Sequence, residues 1–124
     1  MNIENHPSIG AAREPSNTLY VEAWHNLPPL TEPATYEVTD KDGETHIIHV
    51  SKLRRRVLEA LMKQPTYCAS RCRLSQYVSF LKHEDKVDIA TDLYSNDSAT
   101  GRMTYGVYRL ISKVRRLADK EVQS

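Results

Sequence analysis

Cysteine and glycine are both scarce in this chain of 124 residues, which has two cysteines and four glycines. Two cysteines are too few for a disulfide-stapled fold. The chain contains no glycine-rich phosphate loop, no Gly-x-Ser-x-Gly elbow and no His-Glu-x-x-His motif. Four acidic residues cluster between Glu84 and Asp92. Strand alternation would place Asp88 and Asp92 on a solvated polar face, so no catalytic acid or base role is assigned to the cluster. The sequence therefore predicts a protein that is not an enzyme and that uses no cofactor.

Long apolar runs are also absent, so no membrane-spanning segment and no membrane partner are expected. The first ten residues, MNIENHPSIG, lack the basic start and the apolar core of a signal peptide. We therefore expect a cytoplasmic protein. Its length fits one domain, and its hydrophobic fraction of 40% is ordinary for a soluble globular protein.

Charge is divided unevenly along the chain, although the net charge is only +1. Residues 1–50 contain two basic and eight acidic residues, a sum of −6, while residues 51–124 contain fifteen basic and eight acidic residues, a sum of +7. Such asymmetry is a pointer to nucleic-acid interaction. Its alternative explanation is simply that charged residues solvate the surfaces of helices.

Prolines divide the chain at about residue 34. Five of the six prolines precede Thr35, so residues 1–34 are predicted to form an acidic, proline-rich arm, and residues 35–124 the folded domain. Within the arm, TLYVEAW is an apolar patch that can pack as a short helix or strand against the body or a neighbouring subunit. Its Trp24 is expected to be an anchor.

The domain is predicted to begin with a β-hairpin and a helix. TYEVTDKDGETHIIHV alternates around Asp42-Gly43, a turn signal that would set Val38 opposite Ile47 and Tyr36 opposite His49. A helix is predicted over 51–63, capped by Ser51 and ended by Pro65. Basic side chains crowd its first turns, where the helix dipole does not favour positive charge. They are tolerable there when solvated and useful when an anion lies nearby, and we expect them to be solvated.

Within residues 71–110 the spacing of apolar residues changes from a helical period to the two-residue alternation of a strand. Helical spacing over 71–84 places Leu74, Val78 and Leu81 inward and Gln76 outward. Alternation then predicts that 87–94 pairs antiparallel with 102–110. The short segment TYCAS before this helix is β-prone, and a third helix is predicted over 111–120.

Residues 51–110 resemble small bacterial and phage winged-helix proteins. The resemblance is carried by a helix that ends before a proline, a second helix, and a hairpin that closes in Gly-Arg-Met-Thr-Tyr-Gly-Val-Tyr-Arg-Leu. It implies an α+β, winged-helix-like domain with about three helices, a C-terminal β-hairpin wing and an N-terminal β-hairpin. The span from Pro65 to Val87 has room for only one of the two helices that normally precede the wing.

Metal binding is not predicted, although His46, His49, Cys68 and Cys72 supply four suitable side chains. On a strand, His46 and His49 point to opposite faces. Both cysteines are therefore interpreted as buried and inert.

The resemblance implies a DNA-binding protein, either a small transcriptional regulator or a phage or mobile-element accessory protein. Double-stranded DNA is the expected partner, and its predicted contacts lie on the second helix and the wing. These residues are Arg71, Arg73, Gln76, Ser79, Lys82, His83 and Arg102. The alternative is a protein-interaction module that binds a protein partner or forms a homodimer through the N-terminal arm, the Phe80 face or the C-terminal helix.

Overall fold

The computed structural model describes residues 15–69, 73–95 and 101–118. In these ranges the chain forms an α+β structure with two α-helices and seven strands in two sheets. The strands are β1 (Leu19–Val21), β2 (Ala34–Thr39), β3 (Thr45–Val50), β4 (Thr66–Cys68), β5 (Ile89–Ser95), β6 (Thr104–Leu110) and β7 (Lys113–Arg116). The helices are α1 (Lys52–Lys63) and α2 (Leu74–His83), and a short 3-10 helix spans Trp24–Asn26.

The first sheet has the strand order β1-β4-β6-β5. Strands β5 and β6 form the antiparallel pair predicted from the alternating pattern, with Tyr94 opposite Tyr105. The β-prone segment after Pro65 forms β4, which pairs antiparallel with β6 and parallel with β1. Strand β1 comes from the TLYVEAW patch, so the patch packs as a strand against the body.

The second sheet has the order β3-β2-β7. The predicted β2–β3 hairpin is present, but its predicted register is wrong by one residue, because Tyr36 pairs with Ile48 and Val38 pairs with His46. A three-residue loop, not a two-residue one, joins the strands: Asp40 N–H donates to the Glu44 carbonyl, and Gly43 takes φ +87°. This is the hairpin type that needs a left-handed residue at the end of the loop.

One large core lies between the helices and both sheets. Its buried residues come from β1, β2, β3, β5 and both helices, and partly buried residues of β4, β6 and β7 pack against them. The predicted inward face of α2 is confirmed, since Leu74, Val78 and Leu81 are all buried. Val21 and Leu27 are also buried in this core. Part of the proline-rich segment therefore stabilises the body, while the domain boundary at residue 34 stays a prediction.

A smaller apolar cluster lies on the other face of the first sheet. It consists mainly of tyrosines from neighbouring strands, with Tyr67 and Tyr105 rings 4.8 Å apart. The first sheet therefore has two distinct faces, one toward the helices and one toward this tyrosine cluster.

The winged-helix-like architecture with about three helices is wrong. The structure contains two helices and seven strands within the described ranges, and its first sheet has four strands where a small wing was expected. The predicted helix 111–120 is replaced by β7, which pairs antiparallel with β2 and sets Val114 beside Val38. Helical and alternating spacing both turn Val114 toward the core, against which it is partly buried. The open edge of β2 decides between them because it satisfies the backbone hydrogen bonds of β7.

Candidate nucleic-acid interface

Helix α2 presents an outward face that is polar and partly cationic. Gln76, Ser79, Lys82 and His83 are all exposed on it, and Arg73 is exposed at the N-cap. The helix contains no acidic residue. These five side chains form no hydrogen bond or ion pair with the part of the chain that the structure describes. A face with free cations and amides can contact phosphates and base edges.

A cleft of about 460 Å³ lies beside α2, between it and the start of α1. Its walls are contributed by β3, the first turn of α1 and two rings of α2, namely His49, Val50, Ser51, Lys52, Leu53, Arg54, Tyr77 and Phe80. The Tyr77 and Phe80 rings meet edge to face with centroids 5.7 Å apart. The cleft therefore joins aromatic and cationic groups next to the outward face of α2.

Arg54 closes one side of the cleft. Its guanidinium carbon lies 4.8 Å from the centre of the Phe80 ring, and its nitrogens bind Glu84 at 3.0 Å and Asp85 at 3.3 Å. Burial raises the pKa of the Asp85 carboxyl, and the Arg54 guanidinium opposes that rise. Arg54 thus forms ion pairs with two carboxylates, which largely neutralise its positive charge within the protein.

The first turn of α1 contains no acidic residue. Ser51 adopts an extended conformation but makes no side-chain capping bond, contrary to the prediction, and Lys52 has φ +56°. Lys52 N–H donates to the Thr31 carbonyl at 2.8 Å. In the described ranges the N–H groups of Leu53 and Arg54 have no acceptor. The positive end of the helix dipole therefore faces the cleft without a compensating carboxylate.

Two of the basic residues that follow are not solvated, contrary to expectation. Arg55 is 6% exposed; its Nε donates to the Tyr36 hydroxyl at 2.9 Å and its Nη1 to the Glu32 carbonyl at 2.9 Å. Arg56 is partly buried and donates to the Pro28 carbonyl at 2.8 Å. These bonds attach α1 to the chain before β2, and they leave Lys52 as the exposed cation of this turn.

The Tyr36 hydroxyl also donates to the Glu59 carboxylate, which lies 3.9 Å from Arg55. Burial, followed by the hydrogen bond to Glu59, raises the pKa of Tyr36 from 10.0 to about 12. This buried triad of Tyr36, Arg55 and Glu59 is a structural network. It sets the position of α1, and hence of the cleft, over the second sheet.

The predicted interface residues separate into two places. Arg73, Gln76, Ser79, Lys82 and His83 lie together on α2, whereas Arg71 lies outside the described residues. Arg102 is exposed but lies over the Tyr67 ring, on the tyrosine-cluster face of the first sheet, and donates to the Tyr67 hydroxyl at 3.1 Å and the Cys68 carbonyl at 2.9 Å. That face is opposite the one packed against α2.

Sequence reasoning missed the cleft beside α2. Lys52 and Tyr77 were not predicted as site residues, and Phe80 was considered only for a protein partner. The run of basic residues at 52–56 was a usable signal, because a helix start without any acidic residue favours an anion. The sequence does not show which of the four cations, Lys52, Arg54, Arg55 and Arg56, is free.

His46 and His49 point to opposite faces of β3, as strand alternation predicts. The His46 Nε2–H donates to the Asp85 carbonyl at 2.8 Å, and His49 is hydrogen-bonded to Thr35 at 2.9 Å. Within the described ranges no three His, Cys, Asp or Glu residues are grouped for a metal ion. Cys68 is partly buried, not fully buried as expected, and Cys72 lies outside the described residues.

No protein family matches this chain, and neither a curated protein nor a solved structure matches it. No helix of the described residues is long and apolar enough to cross a membrane.

Proposed function

We propose that this protein binds double-stranded DNA through the outward face of α2 and the adjacent start of α1. The observation that carries the proposal is the composition of that face, where Arg73, Gln76 and Lys82 are exposed, unpaired and free of neighbouring carboxylates on the same helix. Ten helical residues span about 15 Å, and a helix of this kind fits the major groove. A role in transcription or in a phage or mobile element would follow from such binding.

The roles of the side chains follow from their chemistry. Arg73 and Gln76 are suited to base edges, since arginine pairs with guanine and glutamine with adenine through two hydrogen bonds. Lys82 and Lys52 are suited to phosphates, one on each helix. The free N–H groups at the start of α1 lie beside Lys52 and can donate hydrogen bonds to a phosphate oxygen at the same place.

Arg102 has no role in this proposal. Its guanidinium lies over Tyr67, which belongs to the tyrosine cluster and not to the core that contains Leu74, Val78 and Leu81 of α2. This separates the present proposal from one in which a recognition helix and a wing hold the same duplex.

The proposal is tested by fluorescence anisotropy with a labelled duplex selected from a random-sequence pool. Arg73→Ala is expected to weaken the selected site by about 1–3 kcal/mol and random duplex by less, as for a lost base contact. Lys52→Met is expected to weaken both alike and to lower the salt slope by about 0.9, as for a lost phosphate contact. Lys63→Met, an exposed lysine at the other end of α1, is the matched control and should change neither.

A protein partner is the second candidate, favoured by the Tyr77 and Phe80 rings, which are only partly buried in the cleft. Salt separates the two functions, because binding to phosphates weakens steeply as salt is added and an apolar contact does not. If Lys52→Met and Arg73→Ala bind the selected duplex as tightly as the unaltered protein, the DNA proposal fails and the protein partner replaces it.

A further inference from the structure

Strand β3 (Thr45–Val50) is at the edge of the second sheet and has an open side. It is paired with β2 along all six residues, and β2 is paired with β7 on its other side. Apart from the ladder to β2, its backbone forms no hydrogen bond with the part of the chain that the structure describes. Every second residue of β3 therefore presents an unpaired N–H and C=O outward, which is a template for another strand.

The sequence of β3 carries none of the usual protection of an edge. THIIHV has no proline and no lysine, arginine, aspartate or glutamate. The other edge of the same sheet, β7, carries Lys113, Arg115 and Arg116 in four residues. In the first sheet, the edge strand β1 is only three residues long, and the edge strand β5 carries Asp92. Of the four edges described, β3 alone combines length with a neutral, β-branched sequence.

Ile47 lies at the middle of this edge and points away from the core. It is 49% exposed, more than the other isoleucines among the described residues. Its neighbours Ile48 and Val50 are buried on the inner face. Ile47 therefore leaves an apolar side chain in water on the strand whose backbone is also unpaired.

We propose that β3 pairs antiparallel with β3 of a second copy of this chain, around a twofold axis at Ile47. The two three-stranded sheets then become one sheet of six strands. This register sets Ile47 beside its own counterpart and Thr45 beside His49, so β-branched side chains meet across the axis and no like charges are opposed. The edge is thus its own complement, which a twofold interface requires.

Two further features make a second copy the fitting partner for this edge. The net charge of the chain is only +1, so two copies repel each other weakly. The cations of β7 guard the remaining edge of the sheet, so that pairing closes at two copies and does not continue into a fibre. The inference does not depend on DNA binding, because it concerns the protein alone.

Sedimentation equilibrium without DNA tests the proposal over micromolar to millimolar protein. The average mass is expected to rise toward twice the monomer mass of 14.2 kDa. Ile47→Lys should remain a monomer over the same range. Leu93→Lys is the matched control, since Leu93 is 42% exposed on the edge strand of the other sheet, and it should dimerise as the unaltered chain does. Cooperative unfolding checks that both variants are folded.

Disulfide trapping supplies a second measurement that does not require a charge on the strand. Opposed Cβ atoms across an antiparallel pair lie about 4.5–5.5 Å apart, close enough for a disulfide after a small adjustment. Ile47→Cys should cross-link to a dimer on mild oxidation, whereas Ile111→Cys, exposed outside β3, and the unaltered chain should not. A monomer at every concentration, a dimer that survives Ile47→Lys, or equal cross-linking of Ile47→Cys and Ile111→Cys would each overturn the proposal.

Discussion

Replacing Arg55 with methionine is expected to destabilise the protein strongly, even though the site is a basic residue in the first turns of a helix. Arg55 is 6% exposed; it donates to the Tyr36 hydroxyl and the Glu32 carbonyl and lies 3.9 Å from the Glu59 carboxylate. Removing it leaves the Glu59 carboxylate, 12% exposed, without its cation. Removing one partner of a buried pair costs about 3–5 kcal/mol in free energy of unfolding.

The measurement is urea unfolding followed by circular dichroism, with the midpoint and slope fitted together. Lys52→Met is the control for charge and helix position, and it should change the free energy of unfolding by less than about 0.5 kcal/mol because Lys52 is exposed. Arg55→Met combined with Glu59→Met should recover much of the loss, since no unpaired charge then remains buried.

A loss below about 1 kcal/mol for Arg55→Met would refute this reasoning, because that is the size of a solvated surface ion pair. It would mean that water reaches the triad of Tyr36, Arg55 and Glu59. The attachment of α1 to the preceding chain would then need another source.

Three further outcomes are expected in the same unfolding assay. Leu81→Ala should lower the free energy of unfolding by about 2–5 kcal/mol because Leu81 is fully buried. Gln76→Ala, on the exposed face of α2, should lower it by less than about 0.5 kcal/mol. Equal losses would show that the helix faces are reversed. Burial favours the neutral form of Tyr36, so its contribution to the free energy of unfolding is complete below its unfolded pKa of 10.0 and is lost as the pH rises toward about 12. Tyr36→Phe should remove this loss of stability at alkaline pH. An unchanged dependence of stability on pH in Tyr36→Phe would contradict the prediction. A chain that starts at residue 35 lacks the buried Val21 and Leu27 and should lose cooperative unfolding, which retained cooperativity would contradict.

Local patterns predicted several elements of this fold. The inward stripe of α2, the β5–β6 pair and the β2–β3 hairpin all depend on periodicity within one short segment, and all three are present. The hairpin register was missed because Lys41, Asp42 and Gly43 form the loop together, and a turn signal alone does not state the loop length.

The arrangement of the elements could not be predicted in the same way. Strand β1 pairs with β4 across more than forty residues of sequence, and β7 takes the free edge of β2. Such pairings depend on which backbone edges remain open in the assembled structure, and no local pattern records that. Assigning 111–120 to a helix followed from a helical stripe of Ile111, Val114, Leu117 and Ala118. In the strand arrangement Val114 and Leu117 are partly or fully buried, whereas Ile111 and Ala118 are exposed.

In the candidate site, too, local features were predictable from the sequence and features that depend on packing were not. The exposed residues of α2 were predicted from helical spacing, because one helix face is a local property. The burial of Arg55 and the separation of Arg102 from α2 depend on packing between elements, and charge counts along the sequence do not distinguish a buried cation from a free one.

A salt titration of the unaltered protein with duplex DNA tests the central claim most directly. The affinity is read from fluorescence anisotropy of a labelled duplex at low and at near-physiological salt. If Lys52, Lys82 and Arg73 each meet a phosphate or a base beside one, the logarithm of the association constant should fall with the logarithm of salt with a slope of about −2 to −3. No binding at low salt, or affinity that does not change with salt, would contradict DNA binding by the α2 face.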